Sequence, residues 1–527
     1  MTRSWWGWGT VDDAVRGEEF DGLATLVGAQ FDRATEPLDP PDPGDVDLPT
    51  PRVDVPAALG DLVDLDPAER LRHGHGQSFR DVARALRGVV ATPPDVVLRP
   101  RGADDVVRIL DWASTSDTAV VPFGGGTSVV GGVTPPDVPC ASVDLTALDR
   151  ILEVDTVSRA AHVQAGMYGP AVEDALRPYG LTLRHFPQSW EFSTVGGWLV
   201  TRAGGHYATR LTHIDDLVES IGAETPAGRW ESRRLPGSGA GPSPDRVLLG
   251  SEGTLGIVTD AWLRLQARPS FRGSADVVFG DVAAGLAGLR AVAQSGIEPA
   301  NCRLLDPVEA ALAGAGDGTH AVLVLGVESA DHPVDADVDR CLELLADHGG
   351  TCPAGPRIVA GDVTGASEGA GGAWRRTFLR APYLRDALIR LGMVVETFET
   401  AITWDRQEEF VARVTAAATD TVTRLTGGGS VSMRVTHAYP DGFAPYWTVI
   451  APAAAGDPVG QWDEVKAAVS EEILAAGGTI THHHAVGRDH APWYERQAPE
   501  VFRAGLAALR SAVDPAGICN PGVLGAR

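Results

Sequence analysis

Residues 118 to 133 read TAVVPFGGGTSVVGGV: a short apolar run, three consecutive glycines, Thr-Ser, and two more glycines. No other segment constrains the fold as strongly. Glycine tolerates the positive φ that such a loop needs, and it lets backbone N–H groups approach an anion with no Cβ between them. Thr127 and Ser128 add hydroxyl donors. Neither familiar nucleotide loop fits. A Walker loop needs Lys after its last glycine, but Gly132 is followed by Val133. In the dinucleotide pattern the third glycine would stand where this chain has Val129. The following PPDVPCASVDL leads to another strand, whereas a Rossmann unit needs a helix there. Two readings stay open from these residues: a pyrophosphate cradle of another kind, or a tight turn.

A chain of 527 residues exceeds a single core and points to roughly three domains. A net charge of -26 argues against a nucleic-acid partner and against electrostatic docking to an anionic membrane. Any anionic substrate must therefore be held by locally placed arginines. The five cysteines form no C-x-x-C pair, which sets a reducing compartment as the expectation and leaves no zinc ribbon. The first residues, MTRSWWGWGTVDDA, do not read as a secretory signal, and the last three are not a peroxisomal address. No apolar run approaches the roughly 20 residues needed to span a bilayer. The expected location is cytoplasmic.

Residues 1–90 read as an arm of helical and extended pieces, rich in Pro and Asp. From 91 to 268 strands and helices alternate, with too few helices between neighbouring strands for a doubly wound sheet, so the fold class is α+β. Residues 269–450 read as a cap over the substrate. Their first part gives strand, helix, strand, strand, helix, the ferredoxin-like half-sheet. The small-residue stretch 354–373 reads as a loop that could act as a lid. Residues 451–527 complete the chain as a C-terminal segment with helices at 458–476 and 494–511 and a strand at 478–483.

Several constellations could carry chemistry. In PQSWEFSTVGGWLVTRAGG (187–205), Ser193 and Thr194 stand at a helix N-cap with Gly196 and Gly197 in the first turn. Such a start could accept an anion or a flat ring, or could be a helix packed tightly on a neighbour. A third small-residue run, GSEGTLGIVTD, spans 250–260. Together the three runs suit a large cofactor with a pyrophosphate and a fused ring. His482, His483 and His484 stand in GGTITHHHAVGR. On a strand, His482 and His484 would face one way and His483 the other. With no H-E-x-x-H and few carboxylates nearby, no metal is expected, and proton transfer is the functional reading. The alternative is two surface histidines and one in the core. Arg303 and Arg385 could each be half of an ion pair or a clamp for phosphate or carboxylate.

PFGGGTSVVGG, PQSWEFSTVGGWLVTRAGG, LLGSEGTLGIVTDA, CRLLD, FETAITWDR, RVTHAY and THHHAVGR occur in this order. With WWGWG near the start and RHGHGQSF at 72–79, the chain resembles the alkyldihydroxyacetonephosphate synthases, also called alkylglycerone-phosphate synthases. These belong to the vanillyl-alcohol oxidase superfamily. The similarity runs from about Trp5 to Leu524. The glycine loop and SEGTLG mark the superfamily; RHGHG, PQSWEFSTVGGW and THHHAVG are more specific to the synthases.

The resemblance implies a two-subdomain PCMH-type FAD-binding domain, a ferredoxin-like-based cap and C-terminal helical segments. It implies non-covalent FAD, since no histidine stands in the glycine loop. The implied activity exchanges the acyl chain of acyl-dihydroxyacetone phosphate for a fatty alcohol, through a flavin N5 adduct. Pro122, Phe123, Gly124, Gly125, Gly126, Thr127 and Ser128 would cradle the pyrophosphate. Pro187, Gln188, Ser189, Ser193, Thr194, Gly197, Thr201, Arg202, Ala203 and Gly204 would line the rest of the cofactor. Glu252, Gly253, Thr254, Gly256, Ile257 and Val258 would do the same. Arg303 would serve the phosphate or flavin environment and Arg385 the substrate phosphate. Tyr446 falls at the family's active-site tyrosine and His185 at a catalytically implicated histidine. His482, His483 and His484 would supply the acid/base group, with His484 first choice. Phe186 and Trp447 depart from the family pattern, which bears on chain specificity. The implied partners are a lipid-like phosphate ester, a fatty alcohol, a second copy of the chain and, weakly, a membrane surface. The runner-up is an FAD oxidoreductase acting on a 2-hydroxy acid or alcohol; the third reading is flavin binding without catalysis.

Overall fold

The computed structural model describes residues 2–31, 36–207, 209, 211–361, 370–454 and 456–525. The cofactor half is built on two sheets. In the first, the strands Val63–Asp64, Val96–Leu98, Cys140–Asp144 and Ala119–Phe123 lie side by side in that order, the last three parallel. The helix Ala103–Ser116 crosses between two of them. Its Val106, Ile109, Leu110 and Ala113 recur at helical spacing and bury against the sheet, and it stops at Asp117 in the left-handed region. The second sheet is antiparallel, in the order Ile151–Asp155, Ala160–Gln164, Ile257–Arg264, Val218–Thr225, Gly228–Glu231. The glycine loop leaves the first sheet after Phe123 and passes along the seam between the two.

The arm is part of this body. Val63 and Asp64 extend the first sheet, and residues 3–10 close as a hairpin whose Trp8 N–H donates to Asp386 at 2.6 Å. The chain end also returns there, where Cys519 bridges Val120.

The cap is one sheet made of two similar modules. The first runs Phe271–Phe279, helix Val282–Ala293, Asn301–Leu305, Ala321–Ser329, helix Asp335–Ala346, Arg357–Ala360. Its strands lie in the order fourth, first, third, second, the ferredoxin-like arrangement. The second runs Met393–Glu399, helix Gln407–Thr426, Ser430–Ala438, Gly442–Pro452, helix Pro458–Ala475, with the order first, third, second. The two join through their second strands, Leu305 opposite Arg434. All four helices bury one face of the sheet in a single apolar cluster. Alternation along the strands then dictates the other face. Leu304, Phe398, Val435 and Trp447 enter the cluster, so Arg303, Glu399, Arg434 and Tyr446 point away from it, toward the cofactor half.

Four local expectations change. Arg357–Ala360, read as loop, is an edge strand pairing with Phe271–Ser274; residues 362–369 of the expected lid lie outside the described residues. The helix expected over 494–511 is two, Ala491–Gln497 and Glu500–Val513, because Ala498 precedes Pro499 and is held extended. The strand expected at 478–483 is absent, and the histidines sit on a loop. Finally, the helix Pro458–Ala475, placed above in a C-terminal segment, packs inside the cap against Gln407–Thr426.

Candidate active site

The site lies on the cap-sheet face that carries Arg303, Glu399, Arg434 and Tyr446, beside the histidine loop, whose following residues reach the glycine loop through Val130 O. The loop's hydrogen bonds run through its carbonyls. Gly125 O accepts from the Arg3 guanidinium at 3.0 Å, Ser128 O from Gln77 N at 2.6 Å, and Val130 O from Arg488 N at 2.9 Å and Asp489 N at 3.1 Å. The N–H groups of residues 124–129 meet no acceptor among the described residues. Six adjacent donors without a protein partner form an anion nest. The glycines have a second reason, which is chain-to-chain packing. A Cβ on Gly125 would sit inside the Phe192 carbonyl and one on Gly124 inside Thr194 Oγ1, while Gly126 has φ +69. Phe123 packs its ring against Gly126 of the cradle. Its ring lies 4.0 Å from that of His73 in the RHGHG segment.

The helix Val195–Thr201 is not the open anion site expected of its start. Val195 N and Gly196 N donate to Met167 and Ala165 carbonyls at 3.1 and 2.7 Å, so the turn after the strand Ala160–Gln164 already takes those donors. Gly197 alone in that turn leaves open space beside it, the nearest atom being Thr194 Oγ1 at 3.6 Å from a built Cβ. Ser193 Oγ is engaged by Trp198 Nε1 at 2.7 Å and by Ser189 Oγ at 3.1 Å. Gln188 donates to Phe378 O at 2.8 Å, and Pro187 opens that turn. Thr201 caps back onto Gly197 O at 2.7 Å. Arg202, at φ +52, swings to Asp215 at 2.8 Å with over half its side chain in solvent, so only its backbone lies near the site. Ala203 is buried, and Gly204 lies under the His483 Cβ.

The third run behaves as a bracket. Gly253 packs on Pro122, Gly256 adopts φ +137 against Glu224 O, and Thr254 turns back on Ser251 O. The side chains of Ile257 and Val258 belong to the core, at the start of the strand Ile257–Arg264, so only their backbone faces the run. The Glu252 side chain faces the histidine loop. It accepts from Val486 N at 2.9 Å and Gly487 N at 2.8 Å, tying the histidine loop to the cofactor half. Burial pushes its carboxyl up to about 7 against the pull of those two N–H groups.

The histidine loop is organised by Glu399, the last residue of its strand and 2 % exposed. Its carboxylate accepts from the N–H groups of His482 at 2.7 Å, His483 at 3.2 Å and His484 at 3.0 Å, and from the Thr481 hydroxyl. Those N–H groups would otherwise have paired with a strand edge, which is why the expected strand does not form. Burial raises the Glu399 pKa, but the three histidines and Thr481 outweigh it and hold the carboxyl well below the ordinary range. Burial lowers all three imidazoles, His483 to about 3, His484 to about 4 and His482 well below its ordinary value.

Around this loop stand groups the motifs contained but their spacing did not single out. His437 and Tyr439 of RVTHAY join it, as does His213 from the cofactor half. His482 Nε2 lies 2.6 Å from Tyr439 OH and 3.1 Å from His213 Nε2, and His482 Nδ1 lies 3.1 Å from His483 Nδ1. Ligand atoms of His437, His482 and His483 come within 4.8 Å of one another, a spacing that could close on a metal ion. Both His437 nitrogens are already engaged, Nδ1 by Thr436 Oγ1 at 3.0 Å and Nε2 by Gly205 O at 2.8 Å, so the arrangement is that of a hydrogen-bonded relay.

Tyr446 is 5 % exposed, its ring 5.5 Å from His484 edge-on and 6.2 Å from His483 in a stack. The Arg434 guanidinium lies 3.8 Å over that ring and pairs with Glu309 at 2.9 Å. Burial raises the Tyr446 phenol, with Arg434 opposing. Arg303, 2 % exposed, donates to His206 O at 2.6 Å and faces the Phe378 ring. Burial, then Arg434, lowers it to about 9. Arg385 is not brought to the histidines. Its guanidinium pairs with Asp386 at 2.7 Å and donates to Gln77 O at 2.6 Å, at the outer end of the glycine loop. It lies seven residues past Phe378, so on the same helix face about 10 Å along the axis. His185 is buried against Trp198, both ring nitrogens lack a hydrogen-bond partner among the described residues, and burial lowers it to about 3. Phe186 packs edge-on to Trp190 at 5.3 Å, and Trp447 is a core residue stacked on Phe398 at 5.2 Å.

Residues 94–232 match the FAD binding domain family, and residues 268–524 the C-terminal domain of FAD linked oxidases. Among similar proteins, the alkyldihydroxyacetonephosphate synthase of Caenorhabditis elegans is 30% identical over 488 residues, covering 85% of this chain and 79% of that one. The chain belongs to the alkyldihydroxyacetonephosphate synthase family. A second member, from Dictyostelium discoideum, is 28% identical over 499 residues, covering 88% of this chain and 78% of its own. A solved structure of alkyldihydroxyacetonephosphate synthase superposes with a TM-score of 0.82 at 22% identity, covering 98% of both chains, and so shows the shared fold. FAD is the cofactor of this family's fold, and the residues present fit it. The nest at 124–129 offers unpaired donors to a diphosphate, Gly197 leaves a flat face, and buried ring nitrogens of His185 and His484 await polar partners.

Proposed function

We propose that the chain is an FAD-dependent enzyme of alkylglycerone-phosphate synthase type, exchanging the acyl chain of acyl-dihydroxyacetone phosphate for a fatty alcohol. The observation that carries this reading is Glu399. One buried carboxylate gathers three consecutive histidines beside Tyr446 and two buried arginines, on a sheet face that looks onto a backbone anion nest. Bound FAD would supply an electron-rich ring nitrogen that activates the substrate ketone. It would be held without a covalent link, by the N–H groups of 124–129 and the open face at Gly197.

The chain's own groups divide the remaining work. Arg303 and Arg434 place two buried guanidinium groups on this sheet face, where a phosphate or an enolate-like oxygen would meet them. Arg385 can take the phosphate only by loosening its Asp386 pair, which is the role we assign it at the outer end of the site. Burial keeps His483 and His484 neutral at physiological pH, so either can accept a proton from carbon or from the alcohol. Tyr446 lies against both and would orient the ketone oxygen. A homodimer, weak contact with a membrane that holds the long-chain substrates, and a cytoplasmic location belong to the same proposal. Among the described residues no helix is long and apolar enough to cross a membrane.

The test is an anaerobic incubation of the yellow holoenzyme with acyl-dihydroxyacetone phosphate and labelled hexadecanol. Labelled ether, with one fatty acid released per ether formed, is the expected result. Flavin bleaching by a 2-hydroxy acid, with no ether made, would assign the chain to the oxidoreductases of the same fold.

A further inference from the structure

Replacing an ester by an ether at one carbon has a fixed balance. The C–O bond to the acyl group breaks and its electron pair leaves with the carboxylate. A C–O bond forms from the alcohol oxygen, and the alcohol's proton is released. One proton per turnover must therefore leave a site whose imidazoles are largely enclosed, the His483 and His484 side chains being 19% and 12% exposed. The structure contains a path for it.

His213 fixes the direction of that path. Its Nδ1 lies 3.2 Å from the Arg202 carbonyl, which can only accept, so Nδ1 carries the proton and Nε2 is a lone pair. That lone pair faces His482 Nε2 at 3.1 Å, so His482 carries its proton on Nε2, which also lies 2.6 Å from Tyr439 OH. His482 Nδ1 is then a lone pair and accepts from His483 Nδ1 at 3.1 Å. His483 Nδ1–H is consistent with its other neighbour, a Glu399 oxygen at 3.4 Å. Each donor in the chain points outward, and His483 Nε2 is left as the inner lone pair. Tyr439 forms part of the wall of a cleft of about 480 Å3 that Arg406, Asp441, Gly478, Thr479 and Gln497 also border. Thr212 Oγ1 lies 3.3 Å from the Tyr439 hydroxyl.

We propose that His483, His482 and Tyr439, with His213 as a second acceptor, form a proton exit from the active site to this cleft. A proton taken at His483 Nε2 displaces the one on Nδ1 to His482 Nδ1. His482 then passes its Nε2 proton to Tyr439 or His213, and the cleft water receives it; no electrons move. The inference rests on the functional reading above, of which it specifies one step. Tyr439, His213 and Thr212 were not among the residues expected from sequence.

Two measurements test it. In holoenzyme labelled with 15N-histidine, the ring nitrogens report which atom bears the proton. Protonation at His213 Nδ1, His482 Nε2 and His483 Nδ1 is expected, with the His482 Nε2 signal moving in Tyr439→Phe. A His482 proton on Nδ1, or an unmoved signal, overturns the relay whether or not the enzyme is active. In turnover, Tyr439→Phe combined with His213→Ala should lower kcat about tenfold or more at unchanged KM and FAD content, with free imidazole restoring it. A double variant as fast as its parent, or a loss that imidazole does not restore, removes the relay alone. Absence of ether synthesis in the parent removes the functional reading and leaves the tautomer pattern to decide the relay.

Discussion

The two modules of the cap share an order of elements and a sheet but differ at one place. In the first, the chain leaves the helix Asp335–Ala346 through Gly349-Gly350-Thr351 and lays Arg357–Ala360 along the sheet edge. In the second, it leaves the helix Pro458–Ala475 through Gly477-Gly478-Thr479, with Gly349 and Gly477 both at φ +83. Thr479 N meets Ala401 O at 3.3 Å as if a fourth strand were beginning, and then the chain departs. A carboxylate at the end of the first strand takes the N–H groups that a strand would have used. The module that completes its sheet lends the site Arg303; the one that leaves it incomplete carries the imidazoles. A buried acid can redirect a backbone from a ladder into a site because one carboxylate offers about four acceptor positions at a single point.

That contrast can be broken or sharpened by substitution. The largest effect belongs to Glu399→Ala. It strips three buried N–H groups of their acceptor and should cost about 3–5 kcal/mol in denaturant unfolding. Turnover should fall about 10³-fold even in the folded fraction. Phe279→Ala, in the core of the first module, should cost a similar 3–5 kcal/mol by opening a cavity, while turnover per folded molecule stays within about twofold. Should Phe279→Ala instead abolish turnover, the division between the modules fails. Gly349→Ala and Gly477→Ala both place a Cβ at positive φ and should each cost about 1–2 kcal/mol, with kcat falling only for Gly477→Ala.

The pH dependence should separate the modules most finely. His483 and His484 have folded values near 3 and 4, below the ordinary 6.5, so the unfolded chain binds protons that the folded one refuses. Their contribution is whole above pH 6.5 and is lost as pH falls toward 4 and then 3. Unfolding midpoints measured across that window should fall, and the double variant His483→Gln/His484→Gln should flatten the slope.

Much of this was legible in the residues. The alternation in CRLLD and in the segment around Tyr446 follows from strand periodicity, and the helices of the first module follow from apolar spacing. The second module was harder to read as a repeat, because its strands share only the Gly-Gly-Thr exit and no extended sequence pattern with the first. The histidine segment departs from strand for a reason that is not local. THHHAV has ordinary strand character, and nothing nearby in sequence announces that Glu399 will sit beneath it. Ile257 and Val258 share a motif with polar neighbours, yet their apolar side chains belong to the core.

Sequence alone determined the periodicities, the family, the cofactor and which residue types would be available to hold and deprotonate a substrate. Those are properties of short segments, where side-chain size, charge and backbone freedom act locally. Tertiary structure decided which of those groups meet. Glu399, Tyr439, His213 and the histidine loop come from four separated stretches, and only the packing of the cap onto the cofactor half removes the water that would otherwise satisfy each of them apart. Once water is gone, each polar atom must find a partner or wait for a ligand, and that demand turns a list of residues into a site.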